Sequence, residues 1–330
     1  MINLPNPRLL IIGPAFFSYT NAIKTELDNC GIFCTVFNQL HSDSVLSKLA
    51  YRLKLHTVFF KQINAHREKI YQEIKHQNIT DVLFISPDII DHSFLIEIKK
   101  YAKVHLYMWD GFKNKKSAES CLDLFHTKSS FDNFDCNKYG MRYIPLFAED
   151  TFKSKGLKKT YDISFCGTVH SNRPAWIKKF DKFSIQKKLQ AKFLLFYYSP
   201  ILLIARLLLN RFAFDLYSSI SFAPFSKKEI AETFEMSRAV IDITHPNQIG
   251  MTSRTFEALR SGSKLITNNQ NCSILPDEFQ SRIFVLNGLD FCKDSLTNFI
   301  KSDIIHLTDE QDYYLSLERF TNQILEQIHD

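Results

Sequence analysis

Short apolar runs alternate with stretches of helical periodicity along the whole chain. LLIIG (9–13) reads as a buried strand, and Ser18 to Cys30 as a helix with Ile23 and Leu27 four apart on one face. IFCTVF (32–37) predicts a second strand. A long helical stretch around 43–77 leads to a strand DVLFIS (81–86), a helix around 92–102 and a strand VHLYMW (104–109). LDLFHT (122–127) and MRYIPL (141–146) complete the series. Short buried runs separated by helices are what a parallel sheet covered on both faces demands. Residues 1–150 are therefore expected to form a Rossmann-like domain.

A polar, basic stretch, TFKSKGLKKT (151–160), reads as a linker, and the alternation then restarts. YDISFCG (161–167) predicts a strand closed by Gly167, followed by a helix from Arg173 to about Gln190. An apolar segment, a helix around 226–236, a strand AVIDI (239–243), a helix over 252–261 and strands KLITN (264–268) and RIFVL (282–286) come next. Helices around 290–301 and 310–328 end the series. The expected class is α/β, with two Rossmann-like doubly wound domains, 1–150 and 161–309. Such a pair would face a central cleft lined by strand carboxyl ends, where open parallel sheets bind ligands.

Composition changes this picture little. A chain of 330 residues, 45% hydrophobic and 23% charged, is globular and long enough for two domains. Its net charge of +6 is scattered, which disfavours a dedicated nucleic-acid binder and fits phosphate-bearing small molecules or an anionic membrane surface. The 7 cysteines are odd in number, contain no CxxC and lack zinc-ligand spacing, so they read as reduced thiols of a cytoplasmic protein. MINLPNPRLLIIG has too short an apolar run for a signal-peptide core. The longest uncharged apolar run, FLLFYYSPILLIA (193–205), falls short of the roughly 20 residues of a spanning helix. With cations at Lys187, Lys188, Lys192, Arg206 and Arg211 around it, this segment could lie in a membrane interface, or be a helix packed on the second sheet.

The stretch His245 to Asn269 carries the strongest candidate chemistry. Gly250 precedes Thr252 and Ser253, both good helix caps, and the helix to Arg260 ends at Gly262 before the next strand. A helix opening after a buried strand presents free N–H groups and a positive dipole end to a phosphate. Arg254, in the first turn, has the wrong sign for that dipole and is explained by an anionic ligand that it grips. Glu257 could accept hydrogen bonds from a ribose diol. The plainer alternative is an amphipathic helix buried through Phe256, Ala258 and Leu259, with Arg254 and Glu257 solvated. A second constellation, DISFCGT (162–168) with Arg173, would place Gly167, Thr168 and an arginine beside the same phosphates, or be an ordinary strand-to-helix turn.

In the first half, Gly13 and Trp109 sit where an acceptor would enter. Asp110 follows a strand's carboxyl end, where a carboxylate can deprotonate an acceptor hydroxyl, with Asp88 its rival; either would otherwise be a capping or turn aspartate. His105 reads as a core residue, whereas His170 and His245 lie in loops near the phosphate motifs. No D-x-D pair occurs, so no metal held by paired carboxylates is expected, and a bound phosphate group would rest on arginines and a helix dipole. No cofactor motif of the Walker A or GxGxxG kind is present.

The segment from Gly250 resembles the nucleotide-sugar site of GT-B glycosyltransferases, most closely CgeB-like and capsular or lipopolysaccharide biosynthesis members. Their pattern G-x-T-x-R-T-F-E-x-L-x-x-G-x-K-L-I-T-x-N is met by Gly250, Thr252, Arg254, Thr255, Phe256, Glu257, Leu259, Gly262, Lys264, Leu265, Ile266, Thr267 and Asn269. The resemblance implies that the Gly250 to Arg254 turn holds the donor diphosphate and Glu257 the ribose. It also implies that Gly167, Thr168 and Arg173 line the donor phosphates, and that the last helix (310–330) crosses back to the first domain. In the better-known GT-B pattern another Glu lies eight residues before the ribose Glu; Ile249 stands there, so donor-sugar contacts do not carry over. The function so implied is transfer from a nucleotide-diphosphate sugar to a bacterial surface-glycan or lipid-linked acceptor, by a cytoplasmic protein whose 187–211 segment could bring it to the cytoplasmic face of the inner membrane. A nucleotide-sugar epimerase and a non-catalytic ligand-binding protein remain alternatives.

Overall fold

The computed structural model describes residues 7–14, 19–42, 59–88, 90–113, 115–169, 171–208, 220–245 and 248–330, without the side chains of 205–208. The helical stretch expected before Phe59, His170 and Arg211 fall outside these residues. The chain divides into two compact units, Met1–Pro145 with Leu317–Asp330, and Leu146–Ser316.

The first unit holds a parallel sheet of β1 (Leu9–Gly13), β2 (Cys34–Asn38), β3 (Asp81–Ile85), β4 (Lys103–Met108), β5 (Thr127–Ser130) and β6 (Arg142–Tyr143), in the order β2-β1-β3-β4-β5-β6. Its helices are α1 (Tyr19–Asn29), α2 (Phe60–His76), α3 (His92–Lys99), α4 (Lys116–Glu119) and α5 (Asn133–Tyr139). Strand alternation sorts the core. Leu10, Ile12, Val82, Phe84, Val104, Leu106 and Met108 pack with Ile70 and Ile74 of α2 and with Phe94, Leu95 and Ile98 of α3. The alternate positions include Tyr107, whose ring meets Phe320 edge-on at 4.9 Å.

The second unit repeats the plan with β7 (Tyr161–Thr168), β8 (Ala191–Phe196), β9 (Ile220–Ser221), β10 (Ser237–Asp242), β11 (Lys264–Thr267) and β12 (Ile283–Val285). The order β12-β11-β10-β7-β8-β9 is that of a doubly wound nucleotide-binding sheet, with its reversal point between β7 and β10. The helices are α6 (Arg173–Lys187), α7 (Pro200–Leu208), α8 (Lys227–Glu235), α9 (Ser253–Arg260), α10 (Asp277–Gln280), α11 (Lys293–Lys301) and α12 (Asp309–Leu315). Trp176, Ile177, Phe180 and Phe183 of α6 and Leu296 and Ile300 of α11 pack on Ile163, Phe165, Ala239 and Ile241. Residues 151–160 belong to this unit: Leu157 N–H donates to Glu235 Oε1 at 3.2 Å, and Lys159 Nζ to the Glu235 carbonyl at 2.7 Å. A last helix, α13 (Leu317–His329), returns to the first unit.

Several elements differ from the sequence reading. LDLFHT forms a 3-10 turn at Leu122–Leu124, and the strand follows at Thr127–Ser130. Its apolar residues plug the core, with Leu122 and Phe125 buried, while the polar TKSS carries the ladder. MRYIPL contributes only two strand residues. The apolar segment, read as a membrane-interface stretch or a helix packed on the second sheet, splits, β8 pairing with β7 before Pro200 opens α7. The final helix is broken at Ser316, whose ψ of 160° is extended, into α12 and α13.

Candidate functional site

The donor candidates gather at the reversal point of the second sheet. Gly167 and Thr168 end β7, and Arg173 opens α6. Arg173 folds back over the turn, donating through Nε to the Ile243 carbonyl at 3.1 Å and through Nη1 to the Thr168 carbonyl at 3.3 Å. Those bonds tie the ends of β7 and β10 together. Burial pushes the Arg173 guanidinium down from its ordinary value, Asp242 opposes that and neighbouring Arg254 adds to it. Being an arginine it stays charged. A Cβ on Gly167 would lie 3.1 Å from the Phe165 ring and 3.6 Å from Arg173 Nη1, so glycine lets the guanidinium lie against the strand.

Thr252 caps α9. Its Oγ1 accepts from Arg254 N–H at 3.1 Å and donates to Asp242 Oδ2 at 2.7 Å, so the hydroxyl's one proton is committed and its lone pairs are left for the helix. Thr255 Oγ1 donates to the same carboxylate oxygen at 3.1 Å. Asp242, buried at the carboxyl end of β10, thus fixes the first turn of α9 from beneath. Ser253 is the first helical residue. The helix stops at Gly262, whose φ of +71° is left-handed.

Arg254 and Glu257 are not solvated, as the plainer alternative had it. Arg254 Nη1 contacts Glu257 Oε2 at 2.8 Å, and the guanidinium lies 5.0 Å from the Phe234 ring centroid. The Glu257 side chain is only 5% exposed and that of Arg254 24%. The wrong-sign arginine is therefore compensated within the protein first, and by a ligand only in addition. Gly250 is buried; its carbonyl accepts from Asn269 Nδ2 at 3.2 Å, while Asn271 Nδ2 holds the Ile249 carbonyl at 2.9 Å. His245 is exposed, with its carbonyl accepting from Gln248 N–H at 2.9 Å.

The first unit's candidates lie at the carboxyl end of its own sheet. Ser86, after β3, takes a left-handed φ of +40°, and its Oγ accepts from Trp109 N–H at 2.7 Å and Asp110 N–H at 3.1 Å. Trp109 meets Tyr19 edge-on at 6.3 Å. Gly13 ends β1, where a Cβ would come within 2.9 Å of Thr20 Cγ2. Lys115 Nζ bonds to Asp88 Oδ1 and lies 3.8 Å from Asp110 Oδ2. Burial pushes the Asp110 carboxyl up; Lys115 works against that and Asp88 adds to it. His105 is a core residue: fully buried, with Nε2 3.0 Å from Asp81 Oδ1 and Nδ1 2.8 Å from Thr127 Oγ1.

Sequence reasoning missed Asp242, Phe234, Ser86 and Lys115. Asp242 was findable, because it ends the strand AVIDI as Asp110 ends VHLYMW. Lys115 carries no pattern of its own and is placed only by the loop after β4.

Two parallel, doubly wound sheets, the second with its polar cluster at the reversal point, are the α/β architecture of the GT-B glycosyltransferases. Solved structures with this fold include a glycosyltransferase from Rickettsia africae ESF-5, at 13% identity over 98% of both chains with a TM-score of 0.64. Anabaena Alr3699/HepE in complex with UDP and glucose is similar at 11% identity, over 98% of this chain and 100% of that one, TM-score 0.59. The UDP-GlcNAc 2-epimerase from Methanocaldococcus jannaschii is similar at 11% identity, over 96% and 99%, TM-score 0.55. No family model and no curated protein matches the chain by sequence. At such identities the likeness establishes the fold.

Proposed function

We propose that this chain is a glycosyltransferase that moves a sugar from a nucleotide-diphosphate donor to a bacterial surface-glycan acceptor, lipopolysaccharide, capsular or lipid-linked, as the CgeB-like resemblance of residues 250–269 implies. The observation that carries the reading is the convergence of Arg173, Arg254, Glu257 and the N-terminus of α9 at the reversal point between β7 and β10. Two guanidiniums and a capped helix start favour a diphosphate, and increasingly so as charge develops on it when the glycosidic bond breaks. The Gly167–Thr168 turn and the Gly250–Ser253 turn would flank that group, with His245 at the rim. Glu257, held in place by Arg254, takes the ribose hydroxyls in this reading. That α/β neighbours bind UDP with glucose supports a uridine or related nucleotide. The chemistry is metal-independent in this reading, because the sequence has no D-x-D pair to bring a cation and two arginines are available to the diphosphate.

The first unit supplies the acceptor side, with Gly13 and Trp109 as contacts and Asp110 as the base. No helix among the described residues is long and apolar enough to cross a membrane. The exposed Ile201, Leu202 and Ile204 of α7 support a peripheral contact with the inner membrane's cytoplasmic face.

The test is incubation with UDP-, GDP-, ADP- and dTDP-sugars, with and without membrane extract, following nucleotide release and sugar conversion. Release that requires extract is the expected result. Conversion of the donor without extract would assign the epimerase reaction instead, and binding without turnover would sink the enzymatic reading.

A further inference from the structure

We infer that Lys115 is a positioning residue: by bridging Asp88 and Asp110 it sets Asp110, and not Asp88, as the carboxylate that takes the acceptor's proton. This rests on the glycosyl transfer proposed above. The two carboxylates differ in how far they are already committed. Asp88 Oδ1 holds the Lys115 ammonium, and its Oδ2 accepts from Gln39 Nε2 at 2.8 Å. Its N–H donates to Gln39 Oε1 at 2.7 Å, and its carbonyl accepts from Ser117 Oγ at 2.9 Å. An aspartate bonded at both oxygens and at both backbone groups is held in place with no oxygen turned to a substrate.

Asp110 is anchored through its backbone alone, by Ser86 Oγ. Among the described residues its carboxylate makes no hydrogen bond, and the Lys115 ammonium at 3.8 Å lies beyond hydrogen-bonding reach but within strong Coulombic range. The Lys115 side chain is only 13% exposed, so its charge is directed at these two groups. Without it, the neighbouring Asp88 charge would act on Asp110 unopposed and favour its protonated form. Lys115 offsets that push, and the half-exposed Asp110 keeps its lone pairs for a substrate.

In the transfer the acceptor O–H bond breaks and its proton passes to the Asp110 carboxylate. The acceptor oxygen bonds to the anomeric carbon, and the bond from that carbon to the diphosphate oxygen breaks, its electron pair leaving on the nucleoside diphosphate. Lys115 neither gives nor takes a proton. Among the described residues the charged side chains acting on Asp110 are Lys115 and Asp88, so their removal acts in opposite directions.

The experiment is the pH dependence of kcat/KM for wild type, Lys115→Met, Lys115→Arg and Asp88→Asn. Loss of the cation should move the acid limb up by about half a unit to one unit, the arginine should restore it, and Asp88→Asn should move it down. An acid limb unmoved by Lys115→Met, or moved the same way by both neutral variants, would overturn the inference. A carbon-13 carboxyl titration of Asp110, assigned with Asp110→Asn, reads the same coupling without turnover. If no donor supports transfer while this titration shifts in Lys115→Met, the proposed function fails and the electrostatic role of Lys115 stands. If the titration does not shift, the role of Lys115 falls whatever the protein's activity.

Discussion

The carboxyl ends of the two sheets share a plan and differ in charge. In the second unit the helix starts that follow the strands present two arginines, with Glu257 paired to Arg254 and Asp242 buried beneath a helix start and spent on two threonine hydroxyls. In the first unit the ends of β3 and β4 present two aspartates, with the Lys115 ammonium between them. The same backbone geometry thus builds one edge suited to holding a negative group and one suited to accepting a proton. The sheet decides where chemistry can sit, and only the residues just beyond each strand decide which chemistry it is.

The widest separation of the two edges is expected from Asp110→Asn. It should lower kcat by about 10²- to 10⁴-fold and leave nucleotide affinity, measured by calorimetry, unchanged. An equal fall in affinity would erase the division of labour. Arg254→Ala should weaken nucleoside diphosphate binding by about 10- to 100-fold, and also lower the melting temperature because Glu257 is left buried without its partner. The ribose role of Glu257 is isolated by pairing Glu257→Ala with a 2′-deoxynucleotide. Wild type should lose about 5- to 10-fold on the deoxy compound and the variant nothing, whereas equal losses would refute the contact. The smallest effects compare glycines. Gly13→Ala, whose methyl would come within 2.9 Å of the buried Thr20, should cost about 1–2 kcal/mol of stability by denaturant titration. Gly167→Ala, 3.1 Å from a ring edge, should cost under about 1 kcal/mol.

The alternation of apolar runs and helical periods was enough to read two doubly wound sheets, because strands buried on both faces leave an unbroken apolar signature. Where burial is polar that signature vanishes. Thr127–Ser130 carries a strand in which Ser129 and Ser130 are fully buried, Ser129 Oγ donating to the Leu106 carbonyl at 3.3 Å and Thr127 Oγ1 accepting from Gln327 Nε2 at 2.9 Å. The apolar run just before it attracted the assignment. Ser316 escaped for another reason: helical periodicity continues across it, and only its extended backbone and its bridge to Ala148 end the helix. In the candidate site, Thr252, Arg254 and Glu257 were legible through cap chemistry and a sign that contradicted the helix dipole. The pairing of Arg254 with Glu257 followed from an i,i+3 spacing that the ligand argument passed over.

The return of α13 to the first unit has a consequence for biosynthesis. Every residue of Leu146–Ser316 is joined to the chain before Leu317, while the first unit still lacks the helix that brings Phe320 against Tyr107 and Gln327 against β5. The unit whose synthesis starts first is therefore the last to be completed. Until the final 13-residue helix arrives, one face of its sheet is open to chaperones or to mispairing, and a premature stop after Ser316 would leave the second unit whole and the first one unsealed.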